Sequence, residues 1–204
     1  KNLKSRGDLV FNILDAYKDA ENLMLENYEA IGFRNLAELK ENGIIIKESG
    51  LGLKFEDITK TIFEKLGFNV DENLKKDINT SKNKIDLILN LGKKDLIIIE
   101  CKTVKESGYN KFSSVSKQIK SYVDSATSSG YNVVKSLLIA PDFSDDFINE
   151  CDLQFDINLS LITAGSLINI LDGFKNSKLQ QFPFQLLMKD VLIKEDRILK
   201  AIKK

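Results

Sequence analysis

An α/β fold, with a central mixed sheet flanked by helices and an added N-terminal helical segment, is predicted by three features of this 204-residue chain. Two strand-like apolar runs flank a turn in "IDLILNLGKKDLIIIEC" (85–101). A strongly amphipathic helical stripe, Phe55, Ile58, Ile62, Phe63 and Leu66, lies just before them. Two further apolar runs, "VVKSLLIA" (133–140) and "LSLIT" (159–163), alternate with helical patterns.

Each element can be justified in order. Residues 1–50 read as mainly helical, with Leu9, Ile13, Tyr17, Ala37 and Leu39 near helical spacing and a break around Gly32. A second break, "ENGIIIKESGLG", carries Gly43, Gly50 and Gly52 and separates a 1–50 segment from a main domain at 51–204. The helix of "KFEDITKTIFEKLGF" stops at Gly67. A short strand is expected in "FNVDENL", then longer ones at 84–90 and 94–101. A loop with Ser107, Gly108, Tyr109 and Asn110 leads into a helix over 114–126. The strand at 133–140 is closed by Pro141, a short helix covers 145–150, and a strand at 159–163 precedes a helix through 167–171. The tail from Phe184 reads as helical, with lysines at its end.

Composition excludes several functions. The chain is 43% hydrophobic and 29% charged, as globular proteins are. No apolar run reaches the ~18–20 residues a membrane span needs, and no signal-peptide layout opens the chain. Cys101 and Cys151 form neither a metal-spaced pair nor a disulfide framework, which points to a reducing cytoplasm. Lys1 in place of Met points to a piece of a longer protein. With no histidine, His-based triads, His general bases and His-ligated zinc are excluded, leaving carboxylates, lysines and hydroxyls for any catalysis. The 30 basic residues balance 30 acidic ones, so no overall basic field announces a nucleic acid.

The charges in the hairpin need an explanation. Strand side chains alternate, so Glu100 and Lys102 share one face while Ile99 and Cys101 share the other, where Cys101 serves as a small buried hydrophobe. If the turn of "NLGKKD" centres on Lys93, Asp86 lies opposite Glu100, and a register slipped by one would put the two carboxylates on opposite faces. Facing carboxylates repel, and a divalent cation between them reverses the sign. The candidate ligands are oxygens throughout: Asp86, Glu100 and the backbone carbonyl of Cys101. Such a set suits Mg²⁺, with Mn²⁺ able to substitute, in an open shell that can activate water and polarise a phosphoryl oxygen. Lys102 can stabilise transition-state charge or accept a proton from the attacking water. Spacing alone equally allows a solvated strand face with an ordinary Glu–Lys pair.

"ID" at 85–86, an apolar strand and "ECK" at 100–102 resemble the signature of the PD-(D/E)xK nuclease superfamily, with Ile85 where that family commonly has Pro. "FEDITKTIFEKLGFNV" resembles the helix before that core, where an early Glu lies near the metal; Glu56 is the match, and it equally suits the positive end of a helix. Gln118 and Tyr122 resemble the Q-x-x-x-Y element of several branches. "ECKTVKESGYN" followed by "QIKSYV", with "SLLIAPDF" and "LSLITAGSLINIL" beyond, is most similar to the cleavage domain of Type IIS restriction endonucleases, the FokI-like group, over about residues 50–180. The resemblance implies a restriction-endonuclease-like core and a Mg²⁺-dependent endodeoxyribonuclease using Asp86, Glu100 and Lys102. Its partners would be double-stranded DNA, a second copy or partner subunit during cleavage, and a separate recognition domain that supplies affinity by tethering. DNA contacts are expected from Lys105, Tyr109, Asn110, Lys111 and Gln118, with Lys117 and Lys120 nearby. The N-terminal helices are then either a linker or part of the cleavage lobe. The alternatives are an Mrr-, resolvase- or RecB-like nuclease of the same superfamily, or a non-catalytic nuclease-fold module for DNA binding or assembly.

Overall fold

A computed structural model describes residues 6–105 and 108–203; the predicted loop position Ser107 lies outside them. The chain opens with helices α1 (Arg6–Glu26), α2 (Tyr28–Gly32) and α3 (Leu36–Glu41), followed by α4 (Leu51–Lys65) and α5 (Glu72–Ile78). Strands β1 (Leu87–Gly92) and β2 (Asp95–Cys101) form the predicted hairpin. Helix α6 (Phe112–Ser128), strand β3 (Asn132–Ala140), helix α7 (Asp145–Leu153), strand β4 (Leu159–Thr163) and helices α8 (Ala164–Lys175) and α9 (Glu195–Ile202) complete the order. Among the described residues no helix is long and apolar enough to cross a membrane.

The strands make one mixed sheet in the order β1-β2-β3-β4. β1 and β2 pair antiparallel, while β2–β3 and β3–β4 pair parallel through the helical crossovers α6 and α7. Both faces are covered. Leu87, Leu89, Ile97, Ile99, Leu137, Ile139 and Ile162 pack with α2, α4, α8 and α9, whereas Ile88, Leu96, Ile98, Leu138 and Leu161 pack with α5, α6 and α7. Burial on both sides is why the strands read as continuous apolar runs rather than alternating ones.

Two expectations are corrected. "FNVDENL" is not a strand: Val70 makes a single bridge to Leu89, and Asp71 then caps α5 by accepting from Leu74 N–H at 2.9 Å. A short acidic residue before a helical turn favours capping over strand extension. The tail is only partly helical, because Leu192 makes a parallel bridge with Leu161 at the sheet edge before α9 begins.

The N-terminal segment belongs to the same core. Leu25, Tyr28, Ile31, Leu39 and Ile44 are buried in the cluster that holds Phe55, Ile97 and Leu137, so residues on both sides of position 50 pack in one core. Tyr28 stacks on Phe55 with centroids 4.6 Å apart. Thr59 Oγ1 donates to the Phe55 carbonyl, so the Tyr28 hydroxyl donates to Thr59, at 2.5 Å. Gly32 is needed for contact: a Cβ there would lie 2.9 Å from the Phe55 ring and 3.1 Å from Pro141.

Candidate active site

The hairpin register decides the site. The loop between β1 and β2 is Lys93–Lys94, both at positive φ (51° and 69°), with Gly92 opposite Asp95. Continued without interruption, that two-residue loop would set Asp86 opposite Cys101 and put Asp86 and Glu100 on different faces. A bulge between Asn90 and Gly92 shifts the register by one, so Leu87 pairs with Ile99 and Asp86 falls beside Glu100. Asp86 itself lies just before β1, and its Oδ2 accepts from the Cys101 N–H at 2.8 Å.

Glu100 is 2% exposed. Its Oε1 pairs with the Lys102 ammonium, and its Oε2 has no hydrogen-bond partner. Burial pushes its carboxyl up to about 7, with the Asp86 charge adding and Lys102 opposing. Asp86 is also raised, by burial first, against the Cys101 N–H and the Lys102 charge. For Lys102, burial favours the neutral form but Glu100 outweighs it, so the ammonium is held above its ordinary value. The partly buried Cys101 packs on the sheet face opposite Glu100, and desolvation raises its thiol well above the usual range, which disfavours the thiolate.

Helix α6 orients the lysine. Lys102 Nζ donates to Gln118 Oε1 at 3.1 Å, Gln118 Nε2 donates to the Tyr122 hydroxyl at 2.5 Å, and that hydroxyl donates to the Lys84 carbonyl at 2.6 Å. The chain has a direction. With the Tyr122 proton committed to a carbonyl, its oxygen must accept from the amide nitrogen, which turns the Gln118 oxygen to Lys102. Gln118, expected to touch DNA, is therefore engaged with Lys102, and the i, i+4 spacing of Gln118 and Tyr122 is the sequence signal for their contact.

The other expected residues are dispersed. Glu56, on α4, is near enough to Asp86 to feel its charge, and burial pushes its carboxyl up to about 7. Lys105 is exposed but ion-paired with Glu48 at 2.6 Å, and Lys120 with Asp156 at 2.9 Å. Tyr109 is 8% exposed, its ring edge-on to Phe147 in the core, so its ring is not a free stacking surface. Asn110 and Lys111 are exposed just before α6. Two residues went unread in the sequence. Arg34, at φ 57°, ties the loop after β2 to the N-terminal segment by donating to Thr103 Oγ1 and the Glu48 carbonyl, both at 3.0 Å. Lys75 donates to the Asp86 carbonyl at 3.0 Å. Lys75 follows directly on "FNVDENL", where a strand is expected, so the sequence pattern does not place it on a helix beside Asp86.

Among the described residues no group of three or more His, Cys, Asp or Glu side chains is assembled to hold a metal. The Asp86–Glu100 pair nevertheless fits a hard cation with an open shell: the donors are oxygens, and one of them, Glu100 Oε2, is buried and unsatisfied.

No family model and no curated protein matches the chain. Among solved structures it is similar to the restriction endonuclease FokI, with a TM-score of 0.56 at 14% identity. The fold is restriction-endonuclease-like. The similarity covers 72% of this chain and 29% of the FokI chain, so it spans under a third of that protein. Within this nuclease-like fold, Asp86, Glu100 and Lys102 gather where β1 and β2 meet the amino-terminal half of α6.

Proposed function

We propose that the chain is a metal-dependent endodeoxyribonuclease domain of the Type IIS restriction kind, which hydrolyses DNA phosphodiester bonds by in-line attack of water without a covalent intermediate. The observation that carries this is the placement of Asp86 near Glu100 at a buried strand end, where Glu100 Oε2 lacks a partner and Lys102 stands beside it. Asp86, Glu100 and the Cys101 carbonyl would hold Mg²⁺, or Mn²⁺ in its place. Bound there, the ion supplies an activated water and stabilises charge on the phosphoryl and leaving oxygens.

Lys102 acts as an ammonium in this reading. It donates to Glu100 and to Gln118, which leaves its third N–H for a phosphoryl oxygen in the transition state. Gln118 and Tyr122 keep that ammonium from swinging into solvent. The exposed Asn110 and Lys111 are the expected first contacts with the DNA backbone, and Lys105 joins them on release from Glu48. One such centre cuts one strand, so a double-strand break takes two copies or a partner subunit. Zero net charge agrees with delivery to DNA by a separate recognition domain.

A plasmid-cleavage assay with Mg²⁺ tests the proposal. Asp86→Ala and Lys102→Ala should each lower the cutting rate by ~10²-fold or more. Wild-type-like cutting by either variant overturns the mechanism.

A further inference from the structure

Lys75 lies among three oxygens, one of them the backbone carbonyl of Asp86. Its Nζ is 3.0 Å from the Asp86 carbonyl, 2.9 Å from Glu72 Oε2 and 3.8 Å from Glu56 Oε1. A backbone carbonyl and two carboxylates around one point are what a hard divalent cation takes as ligands. Here an ammonium has that place, with 18% of its side chain exposed.

The local charges agree. Lys60 stands 3.3 Å from Glu72 and 4.0 Å from Glu64, so here the ammonium groups of Lys60 and Lys75 face Glu56, Glu64 and Glu72, and each of these carboxylates has an ammonium within 4.0 Å. Toward Glu100 the balance is different: Asp86 and Glu100 face Lys102, one carboxylate is uncompensated, and Glu100 Oε2 is unsatisfied. Among the described residues no third carboxylate joins the Asp86–Glu100 pair. Glu56 is thus engaged with Lys75 instead of completing a ligand set.

We infer that the centre takes a single divalent cation, between Asp86 and Glu100, and that Lys75 is a built-in cation that excludes a second ion from the Glu56 side. The inference rests on the nuclease reading and deepens it by assigning the metal count and a positioning role for Lys75. It also turns Glu56 from a metal ligand into the counter-ion of Lys75.

Calorimetric titration of the full chain with Mn²⁺, in the absence of DNA, tests it alongside electron paramagnetic resonance counting of bound Mn²⁺. The wild type should bind one ion, Glu56→Gln should keep that affinity within two-fold, and Lys75→Gln should bind two ions while Lys75→Arg binds one. Two ions in the wild type overturn the inference. So does a ten-fold loss of the wild-type site in Glu56→Gln, or a folded Lys75→Gln that still binds one. Should Lys75→Gln fail to fold, the wild-type count and the Glu56→Gln affinity decide alone. Glu100→Gln separates the parent reading: if the wild type takes up no Mn²⁺, or takes it up regardless of Glu100→Gln, the nuclease centre itself falls and this inference with it.

Discussion

Glu100 is costly to ionise where it lies: it is 2% exposed, has one oxygen unsatisfied and is near Asp86. Its carboxyl and that of Glu56 are both pushed up to about 7 by burial, from an ordinary value of 4.5. Between pH about 4.5 and 7 the folded chain therefore holds protons that the unfolded chain has released. Stability must fall as pH rises through that window, and level off above it. The carboxyls held low by partners, Glu48 and Asp71 among them, act below it and do not mask the trend. Urea denaturation of chelator-treated protein should give a midpoint that drops from pH 5 to pH 7.5; a midpoint that climbs over this range contradicts the burial of the pair. The proposed Mg²⁺ site requires ionised carboxylates, so Mg²⁺ should raise Tm more at pH 8 than at pH 5.

Helix α6 and its neighbour α5 show how elements set the chemistry. The Lys102–Gln118–Tyr122–Lys84 chain lies along one face of α6, whose other contacts, Val115, Ile119 and Ala126, fix it against the sheet. Tyr122→Phe removes the hydroxyl that sets the direction of the Gln118 amide. It should cost about 1–2 kcal/mol of stability from the lost hydrogen bonds. It should also slow cleavage by ~10-fold without changing Mn²⁺ affinity, because the lysine loses its restraint and the metal oxygens do not. Urea melts, cleavage rates and Mn²⁺ titration on the same preparation check the three parts together. Helix α5 brings Lys75 to the Asp86 carbonyl, and Asp71 caps the start of that helix rather than extending a strand.

Across the whole molecule, the N-terminal segment divides into two unequal parts. Leu9, Ile13, Leu14 and Tyr17 on α1 are more than half exposed, whereas Leu25, Tyr28, Ile31 and Leu39 are buried among α4 and the sheet. Val104 N–H donates to the Gly32 carbonyl at 3.0 Å, so the loop after β2 is also held by this segment. Deleting residues 1–20 should change unfolding free energy by no more than about 0.5 kcal/mol. Deleting residues 1–50 removes several large buried side chains at ~2–5 kcal/mol each, more than a domain's whole stability, and should leave an unfolded chain. Circular dichroism and thermal melts of the two truncations distinguish a linker from an integral layer.

Much of this arrangement was legible in one dimension because it depends on local pattern. Apolar runs bounded by turns marked β1 to β4, helical stripes marked α4 and α6, and the spacing of Asp86, Glu100 and Lys102 marked the candidate site. The absence of histidine restricted its chemistry to oxygens and amines. Other features needed contacts between distant residues. A turn centred on Lys93 put Asp86 beside Glu100 on paper, but the chain turns through Lys93–Lys94 and reaches the same pairing only by the bulge after Asn90. No residue type announces a bulge of that kind. Tertiary packing likewise decided that Lys75 reaches Asp86, that Lys105 is held by Glu48, and that residues 25–44 close the core. Side-chain pattern records which face is apolar, while partners distant in the chain are chosen only when the packed layers bring them within a few ångströms.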